Sequence, residues 1–234
     1  MFVYRGMDIQ DCLHDSLLLL TIPEIIAVIT GVLSVWFAKK ENILVYPVGI
    51  VSVLLYVYIC LEVKLYADAA INFYYFVMSV YGWYFWKHGG KFQAKENYEP
   101  ATTIDGELQD NAEQTLINEE AEISFNTLGQ NIYYMLAIVF LGGFLGYVLD
   151  SYTDSTVPYW DGFTTAIFFI AMVLMAKKKI ENWIFWIVGD AMCIPLFLTK
   201  GLCFSSLQYL IFTVIAIAGY LSWYKKLQKK FSAS

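Results

Sequence analysis

Seven apolar runs, at about 19–38, 43–62, 66–86, 131–149, 162–176, 180–199 and 204–224, make up most of this chain. A helix of roughly 20 residues spans a bilayer's hydrocarbon core, where only helices or closed barrels satisfy every backbone N–H and C=O. The fifth run is short and is expected to begin earlier, near Val157. Charged residues make up 15% of the chain and hydrophobic ones 59%, whereas a soluble domain carries about a quarter charged. The expected class is therefore an all-α integral membrane protein with seven transmembrane helices.

Lysine and arginine set the orientation, because they concentrate in cytoplasmic loops. With the N-terminus outside, Lys39, Lys40, Lys87, Lys91, Lys95, Lys177, Lys178, Lys179, Lys225, Lys226, Lys229 and Lys230 fall on the cytoplasmic side, and only Arg5, Lys64 and Lys200 fall outside. The net charge of −6 comes largely from nine carboxylates between Glu96 and Glu122. These lie in a polar stretch, 87–130, read as a solvated linker. Nucleic acid is not an expected partner. The leader before the first run carries Asp8, Asp11 and Asp15 against Arg5, the wrong polarity for a signal peptide, so that run is expected to be retained.

The chain also repeats itself. Ala38-Lys39-Lys40-Glu41-Asn42 returns as Ala176-Lys177-Lys178-Lys179-Ile180-Glu181-Asn182, so that Glu41, Asn42 and Gly49 match Glu181, Asn182 and Gly189. After a small length change Gly82 and Trp86 match Gly219 and Trp223. Helices 1 to 3 therefore correspond to helices 5 to 7, and the glycine-rich fourth (Gly142, Gly143, Gly146) inverts the chain so that both halves run in one direction. The expected organisation is an outer segment 1–18, a first three-helix repeat 19–86, the acidic linker 87–130, an inverter helix 131–149, a second repeat 150–224 and a basic cytoplasmic tail 225–234. Such a 3+1+3 arrangement of parallel repeats is SWEET-like and places a substrate between the halves, near mid-membrane.

Several motifs in order, Glu41-Asn42, Tyr46-Pro47-Val48-Gly49-Ile50, Leu65-Tyr66-Ala67-Asp68, Tyr81-Gly82-Trp83-Tyr84 and Trp86, then Glu181-Asn182-Trp183, Trp186, Lys200-Gly201 and Gly219, resemble the PnuC family of bacterial vitamin transporters. The resemblance covers residues 22 to 224 without the acidic linker. It implies uptake of nicotinamide riboside, an NAD precursor, by facilitated diffusion across the bacterial inner membrane, with trapping by a cytosolic kinase and assembly as a homotrimer. Relatives in the same superfamily carry thiamine, riboflavin or deoxynucleosides.

The residues themselves suggest a site. Trp183, Trp186 and Asp190 share one face of helix 6, and Asn72, Tyr75 and Ser79 share one face of helix 3. Aromatic faces stack a flat ring and attract a fixed positive charge, while amide, hydroxyl and carboxylate groups suit ribose hydroxyls. The expected substrate is thus a small cationic aromatic vitamin. A carboxylate at mid-helix costs about 2.5–3.5 kcal/mol to insert. With no Lys or Arg at that depth, Asp190 is neutral, hydrated in a cavity, or matched by the substrate's charge. Family members assigned to nicotinamide riboside tend to have carboxamides at these polar positions. This chain keeps Asn72 but has Ser79 and Asp190, and an acid also suits the thiazolium of thiamine.

Pro47 and Pro195 are expected to kink helices 2 and 6, and Gln208 to gate the outer end of helix 7. Glu24, Asp68 and Asp161 are expected near an outer entrance. Glu41 and Glu181 are expected to cap or pair locally. Two histidines (His14, His88) and four cysteines without a CxxC pair give no metal site and no disulfide framework. No cofactor and no catalytic motif, whether Walker A, HExxH or a Cys–His pair, is read in the chain.

Overall fold

The computed structural model describes residues 21–62, 64–90, 120–199 and 202–233. Seven helices lie among them: α1 (Ile22–Lys39), α2 (Val45–Glu62), α3 (Tyr66–His88), α4 (Leu128–Tyr152), α5 (Pro158–Ala176), α6 (Asn182–Thr199) and α7 (Cys203–Ala233). All but α3 are both long and apolar enough to cross a membrane. The exception is long enough at 23 residues but carries Asp68, Asn72 and a series of tyrosines. The expected N-terminal segment and most of the acidic linker lie outside the described residues. Starts follow local chemistry. Thr21 and Glu24 form a capping box at α1, Thr127 and Gln130 form one at α4, and Pro158 occupies the first turn of α5.

Packing runs α1 to α2 to α3 and α5 to α6 to α7, and the two halves meet where α3 touches α5 and α7 touches α1. These are equivalent contacts in the two repeats. The inverter helix α4 packs on α5, so it belongs spatially with the second half. Gly142, Gly146 and Gly162 let the two backbones approach closely, and α5 becomes the most enclosed span.

The repeat is closer than the sequence match suggested. Both α1 and α5 end in Schellman turns: Asn42 N–H reaches Phe37 O (2.9 Å) and Lys179 N–H reaches Leu174 O (2.9 Å), with Glu41 (φ 59°) and Lys178 (φ 57°) in the left-handed position. Ala38 and Met175, Glu41 and Lys178, Tyr46 and Trp183, Gly82 and Gly219, and Trp86 and Trp223 all lie the same distance apart in the chain, with no length change. The Glu-Asn identity that paired Glu41 with Glu181 is offset by nearly one helical turn. Such a slip keeps residues on the same face and so escapes detection in sequence.

The halves are clasped at one end by matched contacts. Trp86 Nε1 donates to Met175 O (3.1 Å), and Trp223 Nε1 donates to Ala38 O (3.0 Å). Tyr46 meets Trp86 edge-on (5.2 Å, 88°), as Trp183 meets Trp223 (5.5 Å, 88°). A Cβ on Gly82 would lie 2.5 Å from the Tyr46 ring, and one on Gly219 would lie 2.6 Å from Trp183. Gly219→Ala should therefore cost about 1–3 kcal/mol through overpacking, seen as a lower melting temperature of the purified protein; an unchanged one would mean the indole can move aside.

Glu41 Oε1 pairs with Lys178 Nζ at 2.8 Å and Oε2 with Lys226 Nζ at 2.5 Å, so two equivalent turns of opposite charge are joined across the halves. The local pairing expected of Glu41 is instead a pairing between repeats. Burial alone would raise the Glu41 carboxyl, but its hydrogen bonds to, and attraction by, Lys178 and Lys226 hold it below its ordinary 4.5. Its stabilisation is therefore complete above the unfolded value and disappears as pH falls through the lower folded value. The melting temperature of this chain should fall more between about pH 5 and pH 3 than that of Glu41→Gln, while parallel curves would mean the pair contributes nothing.

Three further expectations change. Residues 120–127, read as the end of a solvated linker, dock onto the clasp, because Ala121 and Ile123 are apolar and buried. Pro47 sits in the first turn of α2, where the N–H groups have no helical acceptor, so its ring breaks no bond and gives no kink. Cys203 is disulfide-bonded, whereas Cys60 and Cys193 keep their thiols. A single bridge leaves no spacing signature in the sequence.

Candidate functional site

The proposed polar residues separate into two levels along α6. Trp183 lies in the clasp, 1% exposed, against Trp223 and Gly219, although its Nε1 has no protein acceptor. Trp186 is one turn deeper and half-buried, and its ring lies 5.4 Å from Phe168 of α5. Asp190 is another turn on and 3% exposed. Tyr75 of α3 and Tyr209 of α7 both lie near Asp190. α3, α6 and α7 thus converge on the carboxylate from both halves.

Around it stands a wall of rings. Phe168 stacks nearly parallel to Tyr209 (6.2 Å, 10°), and Tyr209 also meets Phe197 (5.0 Å). On the α3 side, Tyr74 packs on Phe169 (4.2 Å) and donates its hydroxyl to Phe169 O (3.0 Å), which fixes α3 against α5. Asn72 is half-buried, its amide nitrogen bonded to Asp68 O (2.9 Å), and this leaves the amide oxygen as the acceptor it can offer. Ser79 is buried on α3. Gln208 of α7 lies beside Tyr56 of α2. Pro195 lies inside α6 beyond Asp190, and its missing N–H leaves one carbonyl of that helix unpaired within it. Of the acids expected at an entrance, Glu24 caps α1 and Asp161 accepts from Ser155 Oγ (2.7 Å).

Sequence reasoning missed Phe168, Tyr209 and Tyr56. The repeat could have found two of them, because Tyr209 occupies in α7 the position of Asn72 in α3, and Phe168 occupies in α5 that of Gly31 in α1. Likewise Trp186 stands where the first half has Gly49, and Asp190 where it has Val53. The two halves share a backbone plan and differ at these positions. The second half supplies rings and a carboxylate, and the first supplies small residues and an amide. Among the described residues no cluster of His, Cys, Asp and Glu is arranged to hold a metal.

A family model described as nicotinamide mononucleotide transporter matches residues 21–225. The chain belongs to this family. The chain is similar to the nicotinamide riboside transporter PnuC of Escherichia coli (strain K12), 27% identical over 205 residues that cover 86% of this chain and 84% of that protein. PnuC of Neisseria mucosa is 26% identical over 215 residues, covering 87% and 72%. The crystal structure of the vitamin B3 transporter PnuC superimposes with a TM-score of 0.63 at 24% identity, over 97% of this chain and 95% of that one. That likeness supports the SWEET-like fold of two parallel three-helix repeats joined by one helix. The PnuC-family chain is a multi-pass membrane transporter and not an enzyme.

Proposed function

We propose that this chain takes up nicotinamide riboside by facilitated diffusion, with the pyridinium ring held by the second half and the ribose by the first. The observation that carries the reading is the break in symmetry at equivalent positions. Phe168, Trp186, Tyr209 and Asp190 face a repeat that has Gly31, Gly49, Asn72 and Val53 in their places. A cationic ring gains cation–π attraction and a counter-charge from one side, and ribose hydroxyls meet Asn72 and Ser79 on the other. The relatives named as nicotinamide riboside transporters support the same cargo. Phosphorylation by a cytosolic kinase would keep the product inside, and Pro195 gives α6 a place to bend as access alternates.

The lysine-rich clasp is assigned to the cytoplasm and the opposite end, where Cys203 is disulfide-bonded, to the oxidising outside of a bacterial inner membrane. Assembly as a homotrimer in the bilayer belongs to the same reading. Gln208, beside Tyr56 near that outer end, acts as an outer gate. Asp190 also favours thiamine as a second reading, because its thiazolium carries the same charge on a flat ring.

Titration calorimetry of the detergent-purified protein decides between them. Heat of binding with nicotinamide riboside is expected; binding of thiamine alone would overturn the cargo and keep the fold. Trp186→Ala should weaken binding by roughly 1–2 kcal/mol, the value of a desolvated cation–π contact. Unchanged affinity in a folded variant would remove Trp186 from the site.

A further inference from the structure

We propose that residues 121–126 form a latch that rides with the second half and closes the clasp end of the transport path against the first half. The latch lies between the repeats and is tied to both. Towards the second half, Ser124 N–H donates to Lys178 O (3.2 Å), Ile180 N–H to Ser124 O (3.0 Å), and Asn126 N–H to Glu181 Oε1 (2.9 Å). Lys179 Nζ adds a bond to Phe125 O (3.2 Å). Towards the first half there is one backbone bond, from Ala121 N–H to Trp86 O (3.0 Å).

Ile123 is buried with Val45, Trp86, Ile180, Trp183 and Trp223, so the latch completes the apolar plug of this end. Lys178 is the node. It is 6% exposed, and its Nζ donates to Ala121 O (2.7 Å), pairs with Glu41 Oε1 (2.8 Å) and lies 4.7 Å from the Trp86 ring centroid. Two helical halves cannot part at this end while those contacts hold. The bonds are unequal, several to the second half and few to the first, so the latch stays with the second half and Ala121–Trp86 is the latch contact that breaks, together with the Lys178–Glu41, Lys226–Glu41, Trp86–Met175 and Trp223–Ala38 contacts between the halves. The tail of α7 holds the latch to the second half through Lys230–Glu122.

The inference rests on the transport reading above, and its test has two arms. In the first, Glu41→Cys/Lys178→Cys protein in liposomes is bridged by a short reducible bis-thiosulfonate, with the unsubstituted chain treated alike because it has native cysteines. Counterflow of nicotinamide riboside should fall at least tenfold on bridging and return on reduction, whereas an unchanged rate would overturn the latch. In the second arm, amide hydrogen exchange compares this chain with Glu41→Gln. Exchange at Ala121 should rise about tenfold while Ser124 and Ile180 keep their rates. No change, or an equal rise at all three, identifies a static brace and overturns the proposal. An unsubstituted chain that shows no counterflow would refute the transport reading, and the exchange comparison then decides the latch by itself.

Discussion

Asp190→Asn is expected to weaken binding of nicotinamide riboside about a hundredfold, equivalent to about 2.7 kcal/mol, while its uncharged dihydro form binds as before. A full charge pair 4 Å apart is worth about 4 kcal/mol at an effective dielectric of 20. Desolvation of both partners removes part of that gain. The equivalent position in the first repeat is Val53, so the fold does not require an acid at this depth. An amide of the same shape removes only the charge. Equal loss for the cation and its neutral form, measured by calorimetry, would make Asp190 a structural group.

The other large effect is expected in the join between α4 and α5. A Cβ on Gly162 would stand 2.5 Å from Gly146 N and 2.8 Å from Gly142 O, atoms of a helix backbone that cannot turn aside. Gly162→Val should separate the two helices at a cost of about 3 kcal/mol, lowering the melting temperature by roughly 10 °C for a chain of this size. Helix α4 packs principally on α5, so loss of this contact should also release the inverter from the second half. A melting temperature equal to that of the unsubstituted protein would show that the close approach is not needed.

Much of the architecture was legible because the bilayer imposes a length and a polarity on each helix. The seven runs, the early start of α5 at Pro158 and the division into like halves all follow from that constraint. Asp190, Tyr75 and Trp186 stand out in sequence as candidates because a polar or aromatic group at mid-helix has few other uses. Trp183 was assigned to the site because it shares a helical face with Asp190. Periodicity gives the face but not the depth, and the clasp lies two turns away. The partners Phe168 and Tyr209 are apolar or amphipathic residues in apolar helices, indistinguishable in sequence from packing groups until the repeats are aligned correctly. Docking of Ile123 was hidden by the carboxylates around it. The mutual pairing of Glu41 with Lys178 depends on left-handed turns that no local preference of Glu or Lys foretells.

The direct test of the central claim is counterflow in liposomes loaded with unlabelled nicotinamide riboside and supplied with labelled nicotinamide riboside outside, in the absence of any ion gradient. Saturable label uptake that excess unlabelled nicotinamide riboside abolishes, and equimolar thiamine does not, is the predicted result. Uptake of label only when an ion gradient is imposed, or none while thiamine-loaded vesicles exchange thiamine, would contradict it.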